Sequence, residues 1–259
     1  EDLCTLDLLR IRARVTAQQR AMSVVVADQI LALRRRARRE REGRGRPVVA
    51  PEPVAAADSP PRASAPPTAR RVPGTRGVLG SVPLSVLRFV AQRYGERALR
   101  SVLQSLRGPT ARVFASGVGA EDEVPYEALN ALVAAVDRAL GADDLHLVVQ
   151  CGKAGAEGAF ERMQVPGAPG SAPERLLRAM PGVLAELVRG VSLRTLTLGR
   201  GHARVELDER GESSLTFCVF LIGFLDRSLE RFGARDIEVS MITSRALGDD
   251  DCVFEISWI

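Results

Sequence analysis

Four cysteines, two histidines and one lysine are the scarce reactive side chains in this sequence of 259 residues. Cys4, Cys151, Cys218 and Cys252 stand far apart and form no C-x-x-C pair. Thiols so placed read as small buried groups in a reducing compartment, not as a disulfide framework or a zinc motif. His146 and His202 have no companion histidine three or four residues away, the spacing that puts two imidazoles on one helix face. They read as structural or surface groups. Gly152-Lys153-Ala154-Gly155-Ala156-Glu157-Gly158 holds the lysine in a glycine-rich run. It lacks the preceding strand and the G-x-x-x-x-G-K-[ST] order that turns backbone amides onto a phosphate. Its small residues suit a close helix crossing instead. Asp249-Asp250-Asp251 lacks the alternate spacing and closing Glu of a calcium loop and reads as a solvated turn. Ser116 and the Ser213-Ser214 pair have no His and acid arranged to activate a nucleophile. The expectation is no catalytic residue, no metal ligand and no enzyme.

One stretch could bind rather than react. Phe217, Cys218, Phe220, Leu221 and Phe224 give the segment Thr216 to Phe232 a wide apolar surface that something must cover. Core packing is the default reading. The same five residues are the candidates for lining an apolar ligand pocket or a dimer face.

Charge adds a second feature. Of 36 basic residues only Lys153 is lysine, which points to coding bias as much as to a nucleic-acid partner. Residues 1–49 carry a net +6 and residues 77–259 a net −4, so the basic balance belongs to the N-terminal part. Arg34, Arg35, Arg36, Arg38, Arg39 and Arg41 are the candidates for an electrostatic tether to nucleic acid or an anionic membrane. No aromatic is interleaved for base stacking, and Glu40 and Glu42 dilute the run.

These residues must be positioned by three parts of the chain. Residues 1–42 read as a helical, basic segment, with Leu3, Leu6, Leu9 and Val15 on one face. Residues 43–77 are rich in Pro, Ala, Ser and Gly and cannot bury enough apolar surface to offset their ordering entropy, so they read as a disordered linker. Residues 78–259 read as an α+β domain. Two helices flank Gly95, and Gly108-Pro109 stops the pair. Pro125 opens a strong helix ending at Gly141, Asp143 caps the next, and residues 174–190 form a helix interrupted near Pro181. Ser192–Leu198 and His202–Leu207 alternate across Gly199-Arg200-Gly201 as a hairpin. The apolar helix from Thr216 follows, then strands at Asp236–Thr243 and at the chain end, where Cys252, Phe254, Ile256 and Trp258 share one face. Several helices should therefore pack on a small antiparallel sheet of about four strands.

The order of landmarks over about residues 80–259 resembles a known group of domains. They run from Leu87 through Gly95 to Leu106, then Val124-Pro125-Tyr126, then Gly141 to Gly152. Cys218-x4-Gly223-x9-Gly233 follows, and then Gly248-Asp249 and Cys252-x-Phe254-x3-Trp258. This half is similar to a paralogous myxobacterial domain family, itself similar to vinyl-reductase-type and bacterial haem-NO-binding-like ligand domains. The resemblance implies helices packed on a small antiparallel sheet, used for ligand sensing or subunit pairing, with no catalytic residues to carry over. Haem-binding relatives use a proximal His and a Tyr-x-Ser-x-Arg motif. Here Tyr126 precedes Glu127 and Ala128, and the histidines are only His146 and His202, so no cofactor and no haem are expected.

The function expected from the sequence is a non-enzymatic, cytoplasmic regulatory or sensory module. It would bind a small apolar ligand or a protein partner, with a homodimer as the simplest assembly. A protein-interaction scaffold without a ligand is one alternative, and a DNA-associated regulator using the Arg run is another. No apolar run approaches the roughly 20 residues of a membrane-spanning helix. The N-terminus lacks the order of a signal peptide, and its start at Glu1 rather than Met reads as a piece of a longer chain.

Overall fold

The structure is a computed structural model that describes residues 76–259 except 142, 163–172 and 210. The expected N-terminal helical segment, its Arg candidates and nearly all of the expected linker lie outside the described residues. Gly77, placed in the linker by its neighbours' composition, instead begins a strand.

The described part is α+β, as its alternating and helical periods imply. β1 (Gly77–Leu79) leads into α1 (Ser81–Tyr94), α2 (Glu96–Ser105) and α3 (Gly108–Ala115), and β2 (Glu123–Pro125) precedes α4 (Tyr126–Leu140). The helices α5 (His146–Arg162) and α6 (Pro173–Leu187) follow, then β3 (Val188–Arg189), β4 (Val191–Gly199) and β5 (His202–Glu209). The helix α7 (Leu215–Arg231) separates that hairpin from β6 (Glu238–Thr243) and β7 (Val253–Ser257). The main sheet is antiparallel in the order β4-β5-β7-β6. A second, smaller sheet has the order β2-β1-β3. That small sheet gives no periodic signal because its strands are only two or three residues long.

Three local expectations are corrected. Gly108-Pro109 does not stop a helix but opens α3, since proline's fixed φ and missing N–H suit a first helical turn. Asp143 does not cap α5; it lies at φ 56°, and Asp144 Oδ1 accepts the His146 N–H at 3.0 Å. The helix α6 runs through Pro181 unbroken, at the cost of one internal hydrogen bond.

Alternation carries the main sheet. On β5, Ala203, Val205 and Leu207 are buried, and on β7 so are Phe254 and Ile256. On β4 the pattern fails at Thr195–Thr197, where a bulge turns Leu196 outward to 41% exposure. The chain end is fixed by Trp258 N–H donating to Gly201 O at 3.0 Å and by a reciprocal pair between Arg235 and Ile259 at 2.8 Å.

The helices close over the inner face of the sheet, and α5 and α7 form the most extensive helix pair. Glycines allow it. A Cβ on Gly223 would stand 1.9 Å from Val149 O, and one on Gly152 would stand 2.0 Å from Phe220 O. Gly158 plays the same part against α1, where a Cβ would meet Ser85 Oγ at 1.8 Å. The glycine-rich run around Lys153 is thus a packing surface. Lys153 itself pairs with the buried Asp226 at 2.9 Å across α5 and α7.

Candidate functional site

The helix α7 presents different chemistry on different faces, because successive residues turn by about 100°. Phe217, Phe220, Leu221 and Phe224 recur at the spacing of one face and meet Val82 of α1, Leu129 of α4, and Leu184, Leu187 and Val188 around the end of α6. Together they enclose a wholly apolar seam with a cavity of about 10 Å³. Phe217 stacks near Phe220 with ring centroids 6.0 Å apart and also meets Tyr126 at 4.9 Å. Four of the five sequence candidates therefore line one space. All of them are interior to a single chain, at 4% exposure or less.

Cys218 is the fifth, and it points elsewhere. One residue on from Phe217, it faces the start of β7, where Cys252 and Ser244 lie. The Sγ atoms of Cys218 and Cys252 and a carboxylate oxygen of Glu209 all lie within 4.8 Å of one another, and all three residues are buried. The sequence reading gave Glu209 no role. Its signal was the parity of β5: Ala203, Val205 and Leu207 point inward, so Glu209 must do so as well.

The Glu209 side chain is fully enclosed and well supplied with donors. Tyr126 Oη–H donates to Oε1 and Ser213 Oγ–H to Oε2. The Ser214 N–H donates to Oε1 at 3.4 Å, and Arg76 lies 3.8 Å away. The Arg76 guanidinium also covers the Tyr126 ring at 4.2 Å. Burial, followed by the Glu209 charge, pushes the Tyr126 hydroxyl far above its ordinary range, so it stays a donor.

The two thiols are unequal. Cys218 donates toward Cys252, so Cys218 is raised well above the ordinary thiol value and Cys252 is lowered. Ser213 and the Arg245 N–H, the latter 3.2 Å from Cys252 Sγ, add to the lowering. Cys151 lies apart from this group, fully buried and raised by desolvation.

The remaining sequence candidates take structural places. His202 is on the outer face of the sheet, with Nε2 3.3 Å from Glu255 Oε1, and Arg204 donates to the same oxygen at 2.9 Å. His146 opens α5. In the acidic turn, Asp249 accepts the Ser244 N–H at 2.9 Å and Asp251 accepts from Thr243. Those carboxylates brace the turn before Cys252.

Residues 146–259 match a family described as "Protein of unknown function (DUF2378)". No curated protein sequence matches the chain. Solved structures share the fold at low identity. A mutant H-NOX protein from K. algicida, in the Fe(II) unliganded state, aligns with a TM-score of 0.53 at 12% identity, over 70% of this chain and 96% of that one. An H-NOX domain from Shewanella oneidensis, in the Fe(II)CO ligation state, gives 0.55 at 16% identity, over 70% and 98%. An oxygen-binding H-NOX domain related to soluble guanylate cyclases gives 0.51 at 16%, over 70% and 94%.

The expectation of a cofactor-free domain is corrected by these neighbours. One structure in the set concerns "the function of heme distortion in the H-NOX family", and others are described by the ligation of their iron. The fold is thus one that carries haem in other proteins. The residues around the seam do not fit a macrocycle in the closed packing, because about 10 Å³ is roughly the room of one water. Neither described histidine lines it. What the chain shares with these proteins is a fold, and over residues 146–259 it carries the sequence pattern of a family of unknown function.

Proposed function

We propose that residues 76–259 form a sensory module that takes a small apolar ligand into the seam between α6 and α7 and passes the change to a partner. The supporting observation is the wall itself. Nine residues from α1, α4, α6, β3 and α7 converge on one void without a polar side chain among them. A ligand of more than a few atoms must part these helices to enter. Such a response moves α6, and with it β3, which follows α6 without a break and pairs with β1. The shared fold supports this reading, since the neighbours are described by the small molecules they hold. The module acts by binding rather than catalysis.

The scaffold alternative finds less support. Among the described residues, the exposed large apolar side chains are Tyr94, Leu196, Ile242 and Ile259, on separate elements and not in one patch.

Native mass spectrometry of the full chain, purified from cells, tests the proposal. A bound small molecule is expected on the intact chain, and it should be lost in a Leu184→Phe variant that keeps its circular dichroism. A bare chain at every gentle ionisation setting, or a bound mass unaffected by filling the seam, contradicts it.

A further inference from the structure

We infer that Glu209, Cys218 and Cys252 form a binding site for a thiophilic divalent cation of the zinc class. The three ligands come from the end of β5, the first turn of α7 and the residue before β7, so only the folded chain assembles them. Their ligand atoms lie within 4.8 Å of one another. A tetrahedral centre with zinc–sulfur bonds of ~2.3 Å and zinc–carboxylate bonds of ~2.1 Å needs neighbouring ligand atoms about 3.4–3.8 Å apart. Contraction by about an ångström would close the site on a cation.

The surroundings argue against two ordinary core thiols. A buried cysteine acting as a small hydrophobe is enclosed by apolar atoms. This pair is enclosed by donors instead. The Arg245 N–H points at Cys252 Sγ from 3.2 Å, and the Ser244 hydroxyl is directed at Cys218 Sγ from 4.0 Å. Ser213 Oγ lies 3.4 Å from Cys252 Sγ. Tyr126, Ser213 and the Ser214 N–H do the same for Glu209. Donors aimed at sulfur and carboxylate are the outer shell that holds anionic ligands in place.

Charge points the same way. Two thiolates and a carboxylate around a dication sum to −1, and Arg76 stands 3.8 Å from Glu209 to balance it. The second arginine at the site, Arg245, is held by its side chain on the backbone oxygens of Glu209 and Gly211. Two sulfurs with one oxygen favour zinc over calcium or magnesium, which take oxygen alone. Ser213 Oγ or a water would complete four ligands. Glu209 Oε2 accepts one hydrogen bond, from Ser213, and keeps a lone pair for the cation. On binding, each thiol still protonated releases its proton to solvent.

The probe is Co²⁺, titrated into the reduced full chain under anaerobic conditions. One equivalent is expected to bind, with a sulfur-to-cobalt charge-transfer band and tetrahedral ligand-field bands, and Zn²⁺ should displace it. Cys252→Ser should abolish the charge-transfer band, Glu209→Gln should weaken binding at least tenfold, and Cys151→Ala should leave both unchanged. Each variant is compared by circular dichroism. Glu209→Gln, which preserves shape, serves where the cysteine variant does not fold. Absence of the band in the folded parent chain overturns the site. So does a band that survives Cys252→Ser, or peptide mapping that finds Cys218 and Cys252 joined as a disulfide.

Discussion

Glu157 shows how a single side chain can tie two helices and tune the pH range of the fold. From α5 it accepts from Arg227 and Arg231 of α7. Burial opposes its ionisation, but the hydrogen bonds and charges of the two arginines outweigh that and hold the carboxyl below its ordinary value of 4.5. A depressed folded-state value means stability that is present above the ordinary value and lost as pH falls through the folded one. Urea unfolding between pH 5 and pH 3 should therefore lose stability, and Glu157→Gln should flatten that limb. An unchanged slope would mean that the pair is screened and contributes nothing. Asp226 works in the opposite sense: burial raises its carboxyl despite Lys153, so its contribution fades as pH rises. At this scale the sequence spoke unevenly. Phe217, Phe220, Leu221 and Phe224 announced themselves by helical spacing. Glu209 and Tyr126 did not, because a charged or phenolic residue gains its role from a partner 83 positions away.

Between elements, the crossing of α5 and α7 depends on the absence of side chains at Gly152 and Gly223. An Ala at 223 would drive its methyl into the Val149 carbonyl, a backbone atom that cannot rotate away. Gly223→Ala should cost about 2–3 kcal/mol or more in urea unfolding, the upper end for overpacking. A loss below about 0.5 kcal/mol, the range of neutral surface changes, would show that the helices can separate freely. The packing role of the glycine-rich run was legible from composition and spacing. The bulge at Thr195–Thr197 was not, since nothing in the alternation of Leu193, Thr195 and Thr197 announces an extra residue. Nor was the β2-β1-β3 sheet, whose strands are shorter than the period that would reveal them.

Over the whole molecule, the α+β reading of the chain from residue 78 onward holds, and the order hairpin, helix, hairpin folds into one antiparallel sheet with helices on its inner face. Among the described residues no helix is long and apolar enough to cross a membrane. The cofactor was the whole-molecule property that residue motifs misjudged, because shared fold survives at identities of 12–16% where motifs do not. The central claim is that this fold keeps a seam that can open. The helix α6 is suited to be the moving wall, since Pro181 removes one of its internal hydrogen bonds while α5 and α7 are locked together by glycine contacts and ion pairs. Native-state hydrogen exchange on the full chain, followed through low denaturant, measures this directly. Amides of α6 should exchange through a local opening at clearly lower free energy than those of α5 and α7. Exchange of all three helices only at the free energy of global unfolding would contradict the account.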